Sequence, residues 1–563
     1  MSRNRRALSR AVLAATLALG GAILTAGEPR PPARPNIVYL LADDLGYGDV
    51  QALNPTRGKI KTPHLDRLAS QGMTFTDAHS GSSVCTPTRY GLLTGRYAWR
   101  TRLQRGVLDG SDDPPLIAAK RLTVPALLRQ YGYATAAIGK WHLGFTSELP
   151  PNVNPVEKGK GKTGRGGLPV GARIIGGPIT RGFDYFWGCS NARTMSGLIE
   201  NDRVIEDLAP IAMLPRLGRQ AVGYIADHAA AAKAGRPFFL YVPLTSPHTP
   251  IVPTAEWQGK SGLGAYGDFV MQTDAIVGDV LAALEQHGLA DSTLVLFTAD
   301  NGCSPAAGTP KLEEQGHFAS AQFRGYKADI WDGGHRVPFF ARWPGKIKAG
   351  TQSAQIICHV DLMATCADLL GAPLPANAAE DSVSILPALL GTDRAPLREA
   401  VVHHSIQGMF SIRQGSWKLE FCPGSGGWGK PGDEEAFAQG LPAVQLYDLG
   451  ADLGETKNVQ AENPAILARL TALLERTIAE GRSTPGAKQP NDVEVSFAQA
   501  RPARTRKLRR RPRPASGVIL IAPGASPRGR RSMRGRRIGG RPTAALPQLP
   551  WALGQAPLLE PAL

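Results

Sequence analysis

Cysteine is scarce in this chain. Cys85, Cys189, Cys303, Cys358, Cys366 and Cys422 are spread over 563 positions with no CxxC pair among them, which excludes zinc-ribbon and thioredoxin-like readings. A chain of this length buries enough core not to depend on disulfides, and the spacing leaves any pairing undetermined. Long apolar runs are missing too. "AVLAATLALGGAILTA" (residues 11–26) spans about 16 residues, short of the roughly 20 that a membrane helix needs. It follows Arg3, Arg5, Arg6 and Arg10 with no acid and ends in small residues, so it reads as a secretory signal peptide over residues 1–26 rather than an anchor. Arg5 and Arg6 match a twin-arginine signal only weakly. Export, to the periplasm or the medium, is the expected localisation, with no stable membrane span.

Acid is in deficit: 47 Asp and Glu stand against 64 Lys and Arg, a net charge of +17. The excess is local. From Arg501 to Leu563 there are 15 Arg or Lys and one acid, Glu560; with the four leader arginines this leaves residues 27–500 at −1. A near-neutral body excludes nucleic acid as a partner of anything but the tail. That tail, rich in Arg, Pro and Gly, carries no apolar period and is expected to be disordered. An adventitious extension is the preferred reading of it, ahead of an anion-binding arm. The segment "EKGKGKTGRGG" (157–167) reads as a surface loop in preference to a cationic lip.

Hydrophobic residues at 42% and charged residues at 20% suit a globular chain of more than one domain. Residues 27–385 alternate apolar runs with helical stretches, the pattern of an α/β domain with a mostly parallel sheet. "NIVYLLA" (36–42), "TAAIG" (135–139), "FFLYVPL" (238–244) and "TLVLFTA" (293–299) read as buried strands. Residues 386–498 read as a smaller α+β domain: "MFSIRQGSWKLEF" as paired strands, "NPAILARLTALLERTIAEG" as a helix with Asn463 as N-cap, Pro464 first and Gly481 beyond its end. Residues 499–563 are the tail.

Each of the four buried strands is followed by polar residues: Asp43 and Asp44, Lys140 and His142, His248, Asp300 and Asn301. Singly these are turn chemistry or solvated side chains. Together they converge, because ligands bind outside the carboxyl ends of strands in open α/β sheets. Asp43, Asp44, Asp300 and Asn301 offer only oxygen, which suits a hard divalent cation, calcium ahead of magnesium where coordination is nearly all protein.

"SVCTPTRYGLLTG" (83–95) places Cys85 two residues before Pro87 and four before Arg89. With Pro87 at the first helical position, Cys85 stands at a helix mouth, where anions are favoured. C-x-P-x-R alone is only suggestive. With "GKWHLG", "SPHTP", "TADNG", "YKADIWDGGHRVPFFARWPG" and "QLYDLGADLGETKN" around it, the chain from about 35 to 497 resembles the formylglycine-dependent sulfatases.

That resemblance implies an alkaline-phosphatase-like α/β fold and hydrolysis of sulfate esters, of sugars or aryl alcohols. It implies that Cys85 is oxidised to formylglycine by a formylglycine-generating enzyme and acts as the aldehyde hydrate. One hydroxyl attacks sulfur, and the other collapses to the aldehyde as sulfate leaves. Asp43, Asp44, Asp300 and Asn301 would hold calcium, which also meets residue 85. Arg89 would stabilise the hydrate, and Lys140 and Lys327 would grip sulfate. His248 is the candidate acid for the leaving oxygen and His142 the candidate base, roles that could be exchanged. A phosphomonoesterase or phosphodiesterase of the same superfamily is the alternative, disfavoured because a two-metal site calls for further His and Asp ligands. A non-catalytic relative would keep Cys85 as a thiol.

Overall fold

The computed structural model describes residues 34–108, 113–154, 167–193, 195 and 197–497. The signal peptide, the basic tail and residues 157–166 lie outside the described residues. Among those described, no helix is long and apolar enough to cross a membrane.

Five strands make the centre: β1 (Asn36–Asp43), β2 (Ala134–Lys140), β3 (Tyr185–Cys189), β4 (Phe238–Pro247) and β5 (Thr293–Ala299). They run parallel in the order β5-β1-β4-β2-β3 within a 12-stranded sheet. β1 shows why four of them were legible. Val38, Leu40 and Ala42 face one apolar layer, Ile37, Tyr39 and Leu41 the other, so a strand covered on both sides reads as an unbroken apolar run. The sheet is mixed rather than parallel throughout. Its wings attach by antiparallel strands, Phe339–Arg342 on β5 and Gly197–Glu200 on β3, while at one edge Thr351–Ser353 runs parallel to Met73–Phe75.

Three helices concern the site: α1 (Cys85–Thr94), α2 (Pro210–Lys233) and α3 (Ala265–Gln286). α3 lays Ile276, Val277, Val280, Leu281 and Leu284 against the sheet and stops before Gly288, whose φ of 61° suits glycine. The smaller sheet is four antiparallel strands, β6 (Val401–His404), β7 (Phe410–Gln414), β8 (Trp417–Glu420) and β9 (Gln445–Asp448). Across it packs α4 (Pro464–Glu480), begun at Asn463 and ended at Gly481 in the left-handed region. Asn463 takes the N-cap place, but its amide donates to the Val459 carbonyl instead of receiving a first-turn N–H. Both sheets belong to one compact unit. Tyr97 and Trp99 of the first segment share an apolar cluster with Val401, Phe410 and Leu470.

Candidate active site

The polar residues that end β1, β2, β4 and β5 meet in one place. Asp43, Asp44, Lys140, His142, His248, Asp300 and Asn301 are each at most 5% exposed, and Cys85, Arg89 and Lys327 join them at 4% or less. Parallel strands carry their C-terminal ends to the same edge, so residues as far apart as Asp43 and Asn301 need only occupy equivalent places on neighbouring strands. Three of the non-glycine residues with positive φ are here: Asp44 (66°), His142 (54°) and Ala328 (83°). Held conformations of that kind concentrate at functional sites.

The charges interlock. Lys140 Nζ donates to Asp43 Oδ2 at 2.6 Å, and Lys327 Nζ to Asp44 Oδ1 at 2.6 Å. Arg89 donates to Asp300 Oδ2 through Nη2 at 2.7 Å and Nε at 3.1 Å, and through Nη1 to the Lys140 carbonyl at 3.0 Å. Its guanidinium is thus committed to Asp300 and to the end of β2, and bears on residue 85 through them. The two ammoniums have one hydrogen bond each among the described residues. An ammonium carries three donors, which leaves N–H groups for an anion.

Cys85 is the first residue of α1 itself, preceded by an extended Val84. The helix therefore starts two residues earlier than Pro87 indicated. A proline at the third helical position still costs nothing, because the N–H groups of a first turn have no intrahelical acceptor. Burial pushes the Cys85 thiol up from its ordinary range, so an unmodified thiol here is a poor nucleophile at neutral pH. All six cysteines are free and buried.

The carboxylates fit a hard cation. Asp43 Oδ1 and Asn301 Oδ1 are buried acceptors with no hydrogen-bond partner; Arg89 Nη2 stands 3.7 Å from the former, out of range. Asn301 donates through Nδ2 to Asp44 Oδ1 at 2.8 Å and to the Gly302 carbonyl at 2.9 Å, which fixes which way its amide oxygen points. Burial and the neighbouring Asp43 charge push Asp300 up to about 7. Against its own burial, Asp43 is held well below the carboxylate range by Lys140, His248, Arg89 and Lys327. One ligand atom each of Asp43, Asp44 and His248 lie within 4.8 Å of one another. Four side chains that offer oxygen, two of those atoms unsatisfied, with a His248 nitrogen nearby, have the donor chemistry to hold a divalent cation.

The two histidines differ. His142 donates from Nε2 to the Leu108 carbonyl at 2.8 Å, which leaves Nδ1 buried and unpartnered. Burial, Lys140 and Arg89 hold it well below 6.5, so it is neutral with a bare Nδ1. His248 has Nδ1 at 2.5 Å from the Thr249 carbonyl and Nε2 at 3.7 Å from Asp44 Oδ2. Burial, with Lys327 and Lys140, lowers it to about 4 against the pull of Asp44 and Asp43.

Residues 35–372 match the family model named Sulfatase. The chain belongs to the sulfatase family. It is 32% identical over 501 residues to an N-acetylgalactosamine-6-O-sulfatase of Bacteroides thetaiotaomicron, covering 78% of this chain and 93% of that one. It is 35% identical over 463 residues to human arylsulfatase A, covering 78% and 87%. Among solved structures, a sulfatase from a glycosaminoglycan-metabolism locus of B. thetaiotaomicron superposes with a TM-score of 0.67 at 29% identity, over 79% of this chain and 99% of that one. This sulfatase is accordingly a sulfuric ester hydrolase on an alkaline-phosphatase-like α/β fold.

A small pocket opens over Cys85. Lys140, His142, His248 and Lys327 line it, with Val107, Leu108, Asn191, Arg193, Ile406 and Trp428. The sequence pointed to none of the last six. Leu108 acts through its carbonyl, which no side chain advertises. Ile406 and Trp428 come from the segment of the smaller sheet, read as a separate domain. Two links bring that segment to the site: Ile406 N donates to the Ala328 carbonyl at 3.1 Å, and Trp428 N to Asp329 Oδ1 at 2.9 Å.

Proposed function

We propose that this sulfatase is an exported, calcium-dependent enzyme that cleaves sugar sulfates with residue 85 in its formylglycine form. The observation that carries the reading is the pair of partnerless buried oxygens, Asp43 Oδ1 and Asn301 Oδ1, beside a cysteine too buried to serve as a thiol. Sugar sulfates rank ahead of aryl sulfates because an N-acetylgalactosamine-6-O-sulfatase is matched over nearly its whole length.

Asp43, Asp44, Asp300 and Asn301 would hold the calcium. Bound there, it would neutralise charge on a sulfate oxygen and lower the pKa of the attacking hydroxyl. Lys140 and Lys327 each direct their remaining N–H groups at the sulfo group, where negative charge builds as the ester bond breaks. Arg89 positions Asp300. His142 accepts a proton at Nδ1 while the Leu108 carbonyl holds its ring. His248, whose Nδ1–H is fixed on the Thr249 carbonyl, takes a proton from solvent at Nε2 once the negative charge of a bound sulfate ester raises its pKa from about 4, and from Nε2 passes it to the leaving oxygen. Cys85, 2% exposed and inside a helix buried at every residue, is reachable by a formylglycine-generating enzyme only before the chain folds.

The decisive experiment is mass spectrometry of the tryptic peptide Leu68–Arg89, alongside turnover of matched sulfate and phosphate esters. Residue 85 should have lost sulfur and two hydrogens and gained one oxygen, and the sulfate ester should be the substrate. A fully active enzyme with an intact Cys85 thiol contradicts the reading, and preference for the phosphate ester favours a phosphatase.

A further inference from the structure

The interior of the pocket is about 30 Å³, room for roughly two waters by that measure. It admits a sulfo head and leaves the ring that bears it at the mouth. The walls there are mixed in character but uniform in charge. Lys140, Lys327 and Arg193 are the charged residues lining the pocket, and no carboxylate lines it among the described residues. The lysines already have Asp43 and Asp44 behind them. Arg193 does not: it is exposed, and its guanidinium has no hydrogen bond or ion pair among the described residues, while its backbone N–H donates to Asn191 Oδ1 at 2.7 Å. Among the described residues it is the lining cation without a counter-charge.

Trp428 supplies the other wall. Its side chain is 47% exposed, an unusual state for an indole that lines a buried site. The exposure is built rather than loose. Asp329 Oδ1 accepts from Trp428 N at 2.9 Å and Gly429 N at 2.7 Å, while Oδ2 accepts from Tyr326 N at 3.0 Å. One carboxylate therefore clips the Trp428 loop to the loop that carries Lys327. Gln407 Nε2 holds the same loop at the Gly427 carbonyl, 3.1 Å away. A flat apolar face that lines the same pocket as a guanidinium unpaired among the described residues is a surface for a ring with an anionic substituent.

We propose that Trp428 and Arg193 form a subsite for a second anionic group, so that the preferred esters are sugar sulfates that carry a carboxylate or another sulfate besides the one cleaved. This rests on the sulfatase reading above and adds the substrate class to it. Trp428 takes the ring face; Arg193 takes the extra charge in a hydrogen-bonded ion pair.

The test compares three substrates: a neutral monosulfated sugar, a monosulfated uronic acid and a disulfated sugar, with a small aryl sulfate to report the basic reaction. Wild type should prefer one or both dianionic sugars, and the arm that responds tells carboxylate from sulfate. Arg193→Ala should cut the ratio of kcat/KM for dianionic over neutral sugar by about 10- to 100-fold, the effect of a charged hydrogen bond, with Arg193→Lys in between. Trp428→Ala should raise KM for every sugar and Trp428→Phe should recover most of it. Wild type without a preference, or a ratio unchanged by Arg193→Ala, overturns the subsite. Aryl sulfate turnover alongside such a result shows that the sulfatase reading survives. If no sulfate ester is turned over, that reading has failed instead, and calorimetric binding of the same sugars to both proteins still decides the role of Arg193.

Discussion

Two clusters of buried charge lie at the ends of one short segment, and they do opposite things. His79 opens the segment and Cys85 closes it. Around His79, Lys418 donates to Asp332 Oδ1 at 2.9 Å, Glu455 Oε1 at 2.6 Å and the Ile330 carbonyl at 3.0 Å, and stands 3.0 Å from Glu420 Oε1. Asp77 meanwhile takes Arg413 and Arg336. The part around Lys418 is sealed, with Lys418, Asp332, Glu420 and Glu455 all fully buried, whereas Asp77 and Arg413 line a separate cavity of about 1080 Å³. Ring nitrogens of His79, His335 and His403 lie within 4.8 Å of one another, as metal ligands do. Yet the His335 and His403 rings stack 3.8 Å apart at 14°, so their in-plane lone pairs run side by side rather than to one point. Lys418 Nζ, 3.2 Å from His335 Nε2, already supplies a cation. In the pocket each lysine has a single carboxylate, two oxygens have no partner, and a mouth leads out. Glu420 Oε1 and Oε2 lack hydrogen-bond partners in the sealed part too, so the lesson is that buried charge marks a site when its lysines keep free N–H groups and a mouth leads out, and a scaffold when the lysine's donors are spent and the cluster is closed.

Metal removal tests that contrast most severely. Exhaustive chelation should abolish turnover while the protein stays folded, and calcium should restore it better than zinc; full activity after chelation would remove the oxygen site from the mechanism. A paired substitution comes next. Lys327→Met should lower kcat/KM by about 10²- to 10³-fold with little change in urea midpoint. Lys418→Met should cost about 3–5 kcal/mol of stability by leaving buried carboxylates uncompensated. Equal effects of the two on stability would erase the distinction between site and scaffold.

Acid should act through the scaffold. Burial holds His79, His335 and His403 below the ordinary histidine value, and His404 at about 4. Below about pH 6.5 the unfolded chain takes up protons that these folded imidazoles refuse. Their stability contribution is therefore complete above that pH and falls on acidification, by up to about 1.4 kcal/mol per pH unit for each. Urea midpoints at pH 7, 6 and 5 measure the slope, and His403→Gln should make it shallower; a flat profile contradicts the neutral cluster. The smallest effect belongs to the tail. Ending the chain at Phe497, whose ring still packs on Phe421 at 4.8 Å, should leave melting temperature and turnover unchanged, because residues 27–500 are near neutral without it.

The amino-acid sequence by itself determined four of the five central strands, the convergence of their polar ends and the ten residues that meet there, Cys85 among them. Strands buried on both faces need apolar residues at every position, and ligands at strand ends need particular side chains next to them, so both leave local marks. The strand Tyr185–Cys189, with its aromatics and glycine, left a weaker mark and was not anticipated. The direction of the wing strands depends on how distant segments are routed past one another, as where Phe339–Arg342 returns along β5. Only the tertiary structure decided that Leu108 orients His142 through a carbonyl, that Arg89 serves Asp300, and that Ile406 and Trp428 reach the pocket from the smaller sheet. Those contacts join segments up to some 300 residues apart through backbone groups and packing, and no local pattern of residue types encodes such a distance.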